Sequence, residues 1–174
     1  EEKLSYQARV LVTVAVNQAV AEELERMGVT YHQMVRLTRD GTGKVTALQA
    51  DTVLLNQIKS AVTEQVGERL QDLSSHDLSI PLGSLTGVKI FSGRGPSISF
   101  RLMPEGVVMT NLYHEFSQAG VNQTLHRIYL QIDMEISAVL PGFSMQTKVS
   151  TNMELGQTVI VGEVPEFFGN IGIG

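Results

Sequence analysis

From Ile128 to Leu140 every second residue is apolar: Ile128, Leu130, Ile132, Met134, Ile136, Ala138 and Leu140. Between them stand Arg127, Tyr129, Gln131, Asp133, Glu135, Ser137 and Val139, which are mostly polar. A period of two sustained this long requires an extended strand with one face buried and one face wet. It also outruns the usual strand of about five or six residues. Pro141-Gly142 then turns the chain, and the alternation resumes through Phe143, Met145, Thr147, Val149, Thr151, Met153 and Leu155. The natural pairing is a long antiparallel hairpin over residues 125–155. At about 3.3 Å per residue its arms reach roughly 40 Å.

The region before it has a different period. Val10, Leu11, Val14, Ala21 and Leu24 fall near one face at helical spacing, and Gly28 follows as a helix stop. The β-branched run 10–16 also fits a strand. Residues 31–39 alternate through Val35 and Leu37, Asp40-Gly41-Thr42-Gly43 is a turn, and residues 44–49 return as a second strand. Asp51 is placed to cap a helix in which Leu54, Leu55, Ile58, Ala61, Val62 and Leu70 keep the helical period. After a polar connection over 73–81, strands are expected at 88–91, through Ile98, Phe100 and Leu102, at 107–116, and at 158–164. Breaks are expected at Gly93-Arg94-Gly95-Pro96 and Pro104-Glu105-Gly106. The fold class is therefore α+β. A helix–strand–strand–helix unit over 1–79 precedes an antiparallel β-rich unit over 80–165, and the two can share one core with strand 158–164 joining the first sheet. Residues 166–174 are Gly-rich and expected to be a flexible tail.

Composition narrows the function. Of 174 residues 43% are hydrophobic and only 18% charged, which suggests surface buried between subunits. A net charge of −5 leaves no basic stripe for nucleic acid, and gives no overall attraction to an anionic membrane. The absence of Cys removes disulfides, thiolate chemistry and Cys-ligated metals. No segment has the apolar length to span a bilayer, and the chain begins at Glu1 without Met, so a signal or anchor can precede it.

Few residues carry chemistry. His114-Glu115 starts like a metalloprotease helix but lacks the second His four positions on, and His126 lies twelve residues later. A site built from His114, Glu115 and His126 would need adjacent strands. The plainer reading makes both histidines hydrogen-bonding residues at a sheet end. Arg94 sits among Gly83, Gly87, Gly93 and Gly95, which suits either an anion-binding loop or a tight bend; neither a phosphate loop nor a dinucleotide fingerprint is present. Asp133 and Glu135 share one strand face and read as solvated surface, since glycosidase carboxylates come from separate elements. There is no nucleophile elbow, no Trp, and only 6% aromatic residues. Asn122, with Gln123 and Thr124, lies in a loop between two strands.

Several motifs taken together resemble one family. They are Ile80-Pro81-Leu82-Gly83, Leu85-Thr86-Gly87, Gly93-Arg94-Gly95-Pro96, the run from Ala119-Gly120-Val121-Asn122-Gln123-Thr124 to Leu125-His126, and the stretch from Val159 to Pro165. Over residues 8–165 the chain resembles the YunB sporulation proteins of endospore-forming bacteria. The resemblance implies a protein made in the mother cell, anchored by an N-terminal membrane segment, with its bulk outside the cytoplasm. It implies no established enzymatic activity, so no catalytic residues carry over, and no cofactor is expected. The element order is also similar to ring-building domains of sporulation channels and secretion systems, with residues 80–155 as a β insertion.

Three functions are thus in play. The first is a non-enzymatic assembly or interaction protein of spore envelope formation, at the mother-cell or outer forespore membrane. Its partners would be other sporulation or envelope proteins or further copies of itself. The second is a binding module for a small anion or peptidoglycan fragment, centred on Arg94, His114, Asn122 and His126. The third is an envelope hydrolase using His114, Glu115 and His126.

Overall fold

The computed structural model describes residues 2–162 and the backbone of 166–168. Helix α1 (Glu2–Met27) leads into a short helical turn, α2 (Tyr31–Met34), and the strand pair β1 (Val35–Arg39) and β2 (Val45–Ala50). Helix α3 (Thr52–Ser74) follows, then β3 (Leu78–Pro81), the helical turn α4 (Leu82–Leu85) and a 3-10 turn at Lys89–Phe91. Three long strands come next, β4 (Ser97–Gly120), β5 (Gln123–Leu140) and β6 (Phe143–Val161), and then the short β7 (Glu166–Phe168). The class is α+β, as the two sequence periods require.

α1 is helical throughout, including the β-branched run. Its N-terminal acid Glu2 and C-terminal base Arg26 both suit the helix dipole. Its last turn closes with the Gly28 N–H on the Leu24 carbonyl at 3.0 Å. The face it buries is Leu4, Ala8, Val12, Val16 and Val20, at four-residue intervals, whereas Val10, Leu11 and Val14 are exposed. Sequence periodicity picked the wrong face because this helix is apolar on both, and periodicity cannot then orient it. α3 behaves as expected. Asp51 Oδ1 accepts the Leu54 N–H at 3.0 Å, and Leu55, Ile58, Val62, Val66 and Leu70 are buried.

Residues 31–34 form α2 instead of the start of a strand. The Thr30 N–H donates to Gln33 Oε1 at 2.8 Å, satisfying one of the donors a helix start leaves over. β1 and β2 then pair antiparallel, with Val35 opposite Ala50 and Leu37 opposite Leu48. Asp40 Oδ1 holds the intervening turn by accepting from the Thr42 N–H, the Thr42 hydroxyl and the Lys44 N–H. The third strand of this sheet is β7, parallel to β2. Residues 158–161, expected to join here, instead end β6, and residues 163–164 lie outside the described residues. The expected flexible tail begins with β7; residues 169–174 are likewise outside the described residues.

The second sheet has the order β3-β4-β5-β6. β3 lies in the expected polar connection and pairs with the start of β4, Ile80 facing Ile98. β4 passes straight through Pro104-Glu105-Gly106, where sequence predicts a turn. Gly106 has φ +68, so the glycine absorbs the irregularity within the strand. The apolar stretch 88–91 is an exposed 3-10 turn, not a strand. β5 is the core strand: Thr124, His126, Ile128, Leu130, Ile132, Met134, Ile136 and Ala138 are buried at alternate positions, and Ser137 near its end is buried as well. Each large aliphatic side chain buried this way contributes about 1.5–3 kcal/mol. β5 and β6 are joined at Pro141-Gly142, as the hairpin reading requires.

The chain divides into two compact units. The first comprises Glu1–Ala19, Glu64–Met109 and Asp133–Thr151; the second comprises Val20–Thr63, Thr110–Ile132 and Asn152–Gly174. Both long helices and all three long strands contribute a stretch to each, because such elements outlast a single small core. Among the described residues, no helix is long and apolar enough to cross a membrane.

Candidate functional site

The second unit holds a buried polar chain. Alternation along β4 turns His114 and Phe116 to one face, and alternation along β5 turns His126 inward, where it is 0% exposed. α2 supplies Tyr31. The Tyr31 hydroxyl lies 2.6 Å from His126 Nδ1, and His126 Nε2 lies 3.0 Å from His114 Nδ1. The Phe116 ring stacks on His126 with centroids 4.6 Å apart. Giving His126 the Nε2–H tautomer orders the chain: Tyr31 donates to His126, and His126 donates to His114.

Burial decides the charge state. Desolvation, and then the charge His114 would carry, push His126 down to about 4. Burial likewise lowers His114 and raises the Tyr31 hydroxyl. Both imidazoles are therefore neutral near pH 7, and the chain is a set of neutral hydrogen bonds. Both nitrogens of His126 are engaged within it, so a metal could reach that ring only by displacing Tyr31 or His114. Among the described residues no three His, Cys, Asp or Glu side chains converge as metal ligands. Glu115, next to His114, belongs to the opposite strand face and pairs with Arg127 at 3.9 Å; Arg127 also lies 3.3 Å from Glu154. Glu135 pairs with Lys148 at 3.4 Å. The half-buried Asp133 shares the strand face of Glu135.

Of the four residues singled out for ligand binding, His114, Asn122 and His126 belong to the second unit and Arg94 to the first. His114 and His126 touch. Asn122 occupies the turn between β4 and β5 with φ 54, and its carbonyl accepts the Gly162 N–H at 2.7 Å. There it lines a cavity of about 560 Å³ with Arg39, Lys44, Val159 and Val161. Arg94 belongs to the first unit, in a loop where its carbonyl accepts the Gly83 N–H at 2.9 Å. Sequence reasoning missed Tyr31, Arg39 and Lys44. Tyr31, at the start of a segment read as a strand, could have been flagged as a hydroxyl that needs a partner if buried. The two cations carried no motif, and only the fold of the β1–β2 turn brings them to the cavity.

The described family model for sporulation protein YunB matches residues 77–167, just over half of the chain. The curated Sporulation protein YunB of Bacillus subtilis (strain 168) is 26% identical over 149 residues, covering 80% of this chain. The chain spans 59% of that relative's length. No solved structure matches. The matched region contains β3 to β6, the loop with Arg94, and both histidines of the buried chain. By this match the chain belongs to the YunB sporulation protein family.

Proposed function

We propose that this chain acts without catalysis, by assembling or by binding other proteins, during spore envelope formation. The observation that carries the reading is β6. It is nineteen residues long and ends the sheet order β3-β4-β5-β6, with no further strand beyond it among the described residues. Such an edge presents a row of backbone donors and acceptors that another strand can complete. The low charged fraction of 18% supports the same reading. So does the engagement of the buried histidines with each other and with Tyr31. Partners would be further copies of the chain, as in ring-building assemblies, or other sporulation and envelope proteins. The place would be the extracytoplasmic side of the mother-cell or outer forespore membrane, with the protein tethered there.

The natural absence of Cys makes a clean test. A single Cys at Val159, which is exposed on β6, is compared with a single Cys at Val53, exposed on α3. Oxidation is expected to cross-link the β6 variant into discrete species and to leave the α3 variant mostly monomeric. Equal cross-linking of both, or none, contradicts an edge-mediated assembly.

A second reading is favoured by the cavity at Arg39, Lys44 and Asn122, whose two cations suit a small anion or an anionic peptidoglycan fragment. Calorimetry with muramyl peptides and inorganic phosphate tests it; loss of heat in Arg39→Ala with Lys44→Ala is the expected result, and no heat from the unaltered chain refutes it.

A further inference from the structure

The loop 82–96 in the first unit has an unusual construction. Every residue from 86 to 96 is exposed, yet the segment is closed on itself. The Leu82 N–H donates to the Pro96 carbonyl at 2.9 Å, the Gly83 N–H to Arg94 at 2.9 Å, the Phe91 N–H to Val88 at 3.0 Å, and the Arg94 N–H to Phe91 at 3.0 Å. Ser84 Oγ accepts the Gly93 N–H at 2.9 Å. Gly83 is where the strands of the loop cross most closely: a methyl group there would overlap the carbonyls of Phe91 and Arg94. The chain thus uses its own polar groups to close a fixed loop.

What that loop displays is apolar. Ile90 is 72% exposed, Phe91 53% and Val88 46%. A fixed loop that holds large side chains in water gains nothing from them in its own folding. The charges within the loop have one sign. Loop 82–96 contains Lys89 and Arg94 and no carboxylate. The Lys3 side chain from α1 reaches over Gly87, with Glu2 preceding it in sequence. Apolar tips accompanied by Lys89, Arg94 and Lys3, on a loop closed by its own hydrogen bonds, match the interface of an anionic bilayer. The tip need only reach the headgroup boundary, where backbone groups outside the loop's own hydrogen bonds stay hydrated, and the cations meet lipid phosphates. The chain-wide charge of −5 does not cancel this, because charges farther than about 8–10 Å from the surface are largely screened by salt.

We propose that loop 82–96 docks on an anionic lipid surface, with Val88, Ile90 and Phe91 entering the headgroup boundary and Lys89 and Arg94 contacting phosphates. This goes beyond the assembly reading and does not depend on it, since β6 takes no part. The test is flotation of the full chain with phosphatidylcholine vesicles, with and without phosphatidylglycerol. Binding is expected to the anionic vesicles and to weaken with added salt. Lys89→Ala and Arg94→Ala should each weaken it about fivefold, equivalent to about 1 kcal/mol per cation at the surface. Ile90→Asp with Phe91→Asp should abolish it, and both positions are exposed enough for the variant to fold, which circular dichroism checks. Three results overturn the proposal: no binding to anionic vesicles, equal binding by the Asp variant, or a change of mass in the Asp variant with vesicle binding unchanged. The last would make the loop a contact between copies of the chain.

Discussion

Lowering the pH from 7.5 to 4.5 should destabilise the chain through its buried histidines. The folded protein holds His126 neutral, near 4, while in the unfolded chain the ring takes a proton near its ordinary 6.5. Because the folded value is depressed, the unfolded state binds more protons below about pH 6.5. Stability is then complete above that pH and is lost as the pH falls toward 4. The slope is about 1.4 kcal/mol per pH unit for one such ring, so the whole interval costs about 3 kcal/mol. His114 is shifted in the same direction by burial and adds to the loss. Against a usual total of about 5–15 kcal/mol, this is a large fraction. The carboxyls of Glu23 and Asp40 are held low by hydrogen bonds from Arg26 and Thr42. They begin to contribute only as the pH nears their ordinary values of 4.5 and 3.8, so the upper part of the window, from 6.5 to about 5.5, reports chiefly the imidazoles. The assay is urea denaturation at half-unit pH steps, for the unaltered chain and for His126→Gln, which keeps an amide in the chain and removes its titration. The unaltered midpoint should fall steeply through the window, and the His126→Gln midpoint should start lower and fall less. Parallel curves, or stability rising as pH falls, would refute the reasoning.

Other substitutions probe the same structure. Tyr31→Phe removes the hydroxyl facing His126 Nδ1 and should cost about 1–3 kcal/mol, read by thermal denaturation at pH 7.5. Leu130→Ala empties a fully buried site on β5 and should cost about 2–5 kcal/mol in the same assay. Gly83→Ala forces apart the closed loop; limited proteolysis should cut within 82–96 faster than in the unaltered chain, while the overall melting temperature changes less than in Leu130→Ala.

How much of this was legible follows from which signals were local. The hairpin of β5 and β6 was readable because a period of two leaves only one face to bury, and Asp51 announced α3 by a cap that acts over three residues. The buried face of α1 was not readable, since both faces are apolar and only the packed structure chooses between them. Pro104-Glu105-Gly106 reads as a turn by residue type, yet a strand can pass through when a glycine takes the left-handed conformation. The 88–91 stretch reads as a strand from its Val, Ile and Phe, but backbone bonds from Leu82 to Pro96 and from Gly83 to Arg94 close it into a loop, which no hydrophobic period reveals. At the site, His114 and His126 were found as candidates and do meet. Tyr31 was not, because it comes from 95 residues upstream of His126. Arg94 was grouped with them by its glycine-rich surroundings, whose work is loop closure within the first unit.

The most direct test of the account is the mass of the purified chain by light scattering across a concentration series. Assembly through strand edges predicts one defined oligomer that grows with concentration and dissociates when Val159 and Val161, both exposed on β6, are changed to Lys. A monomer at every concentration that also captures no sporulation or envelope protein would contradict it.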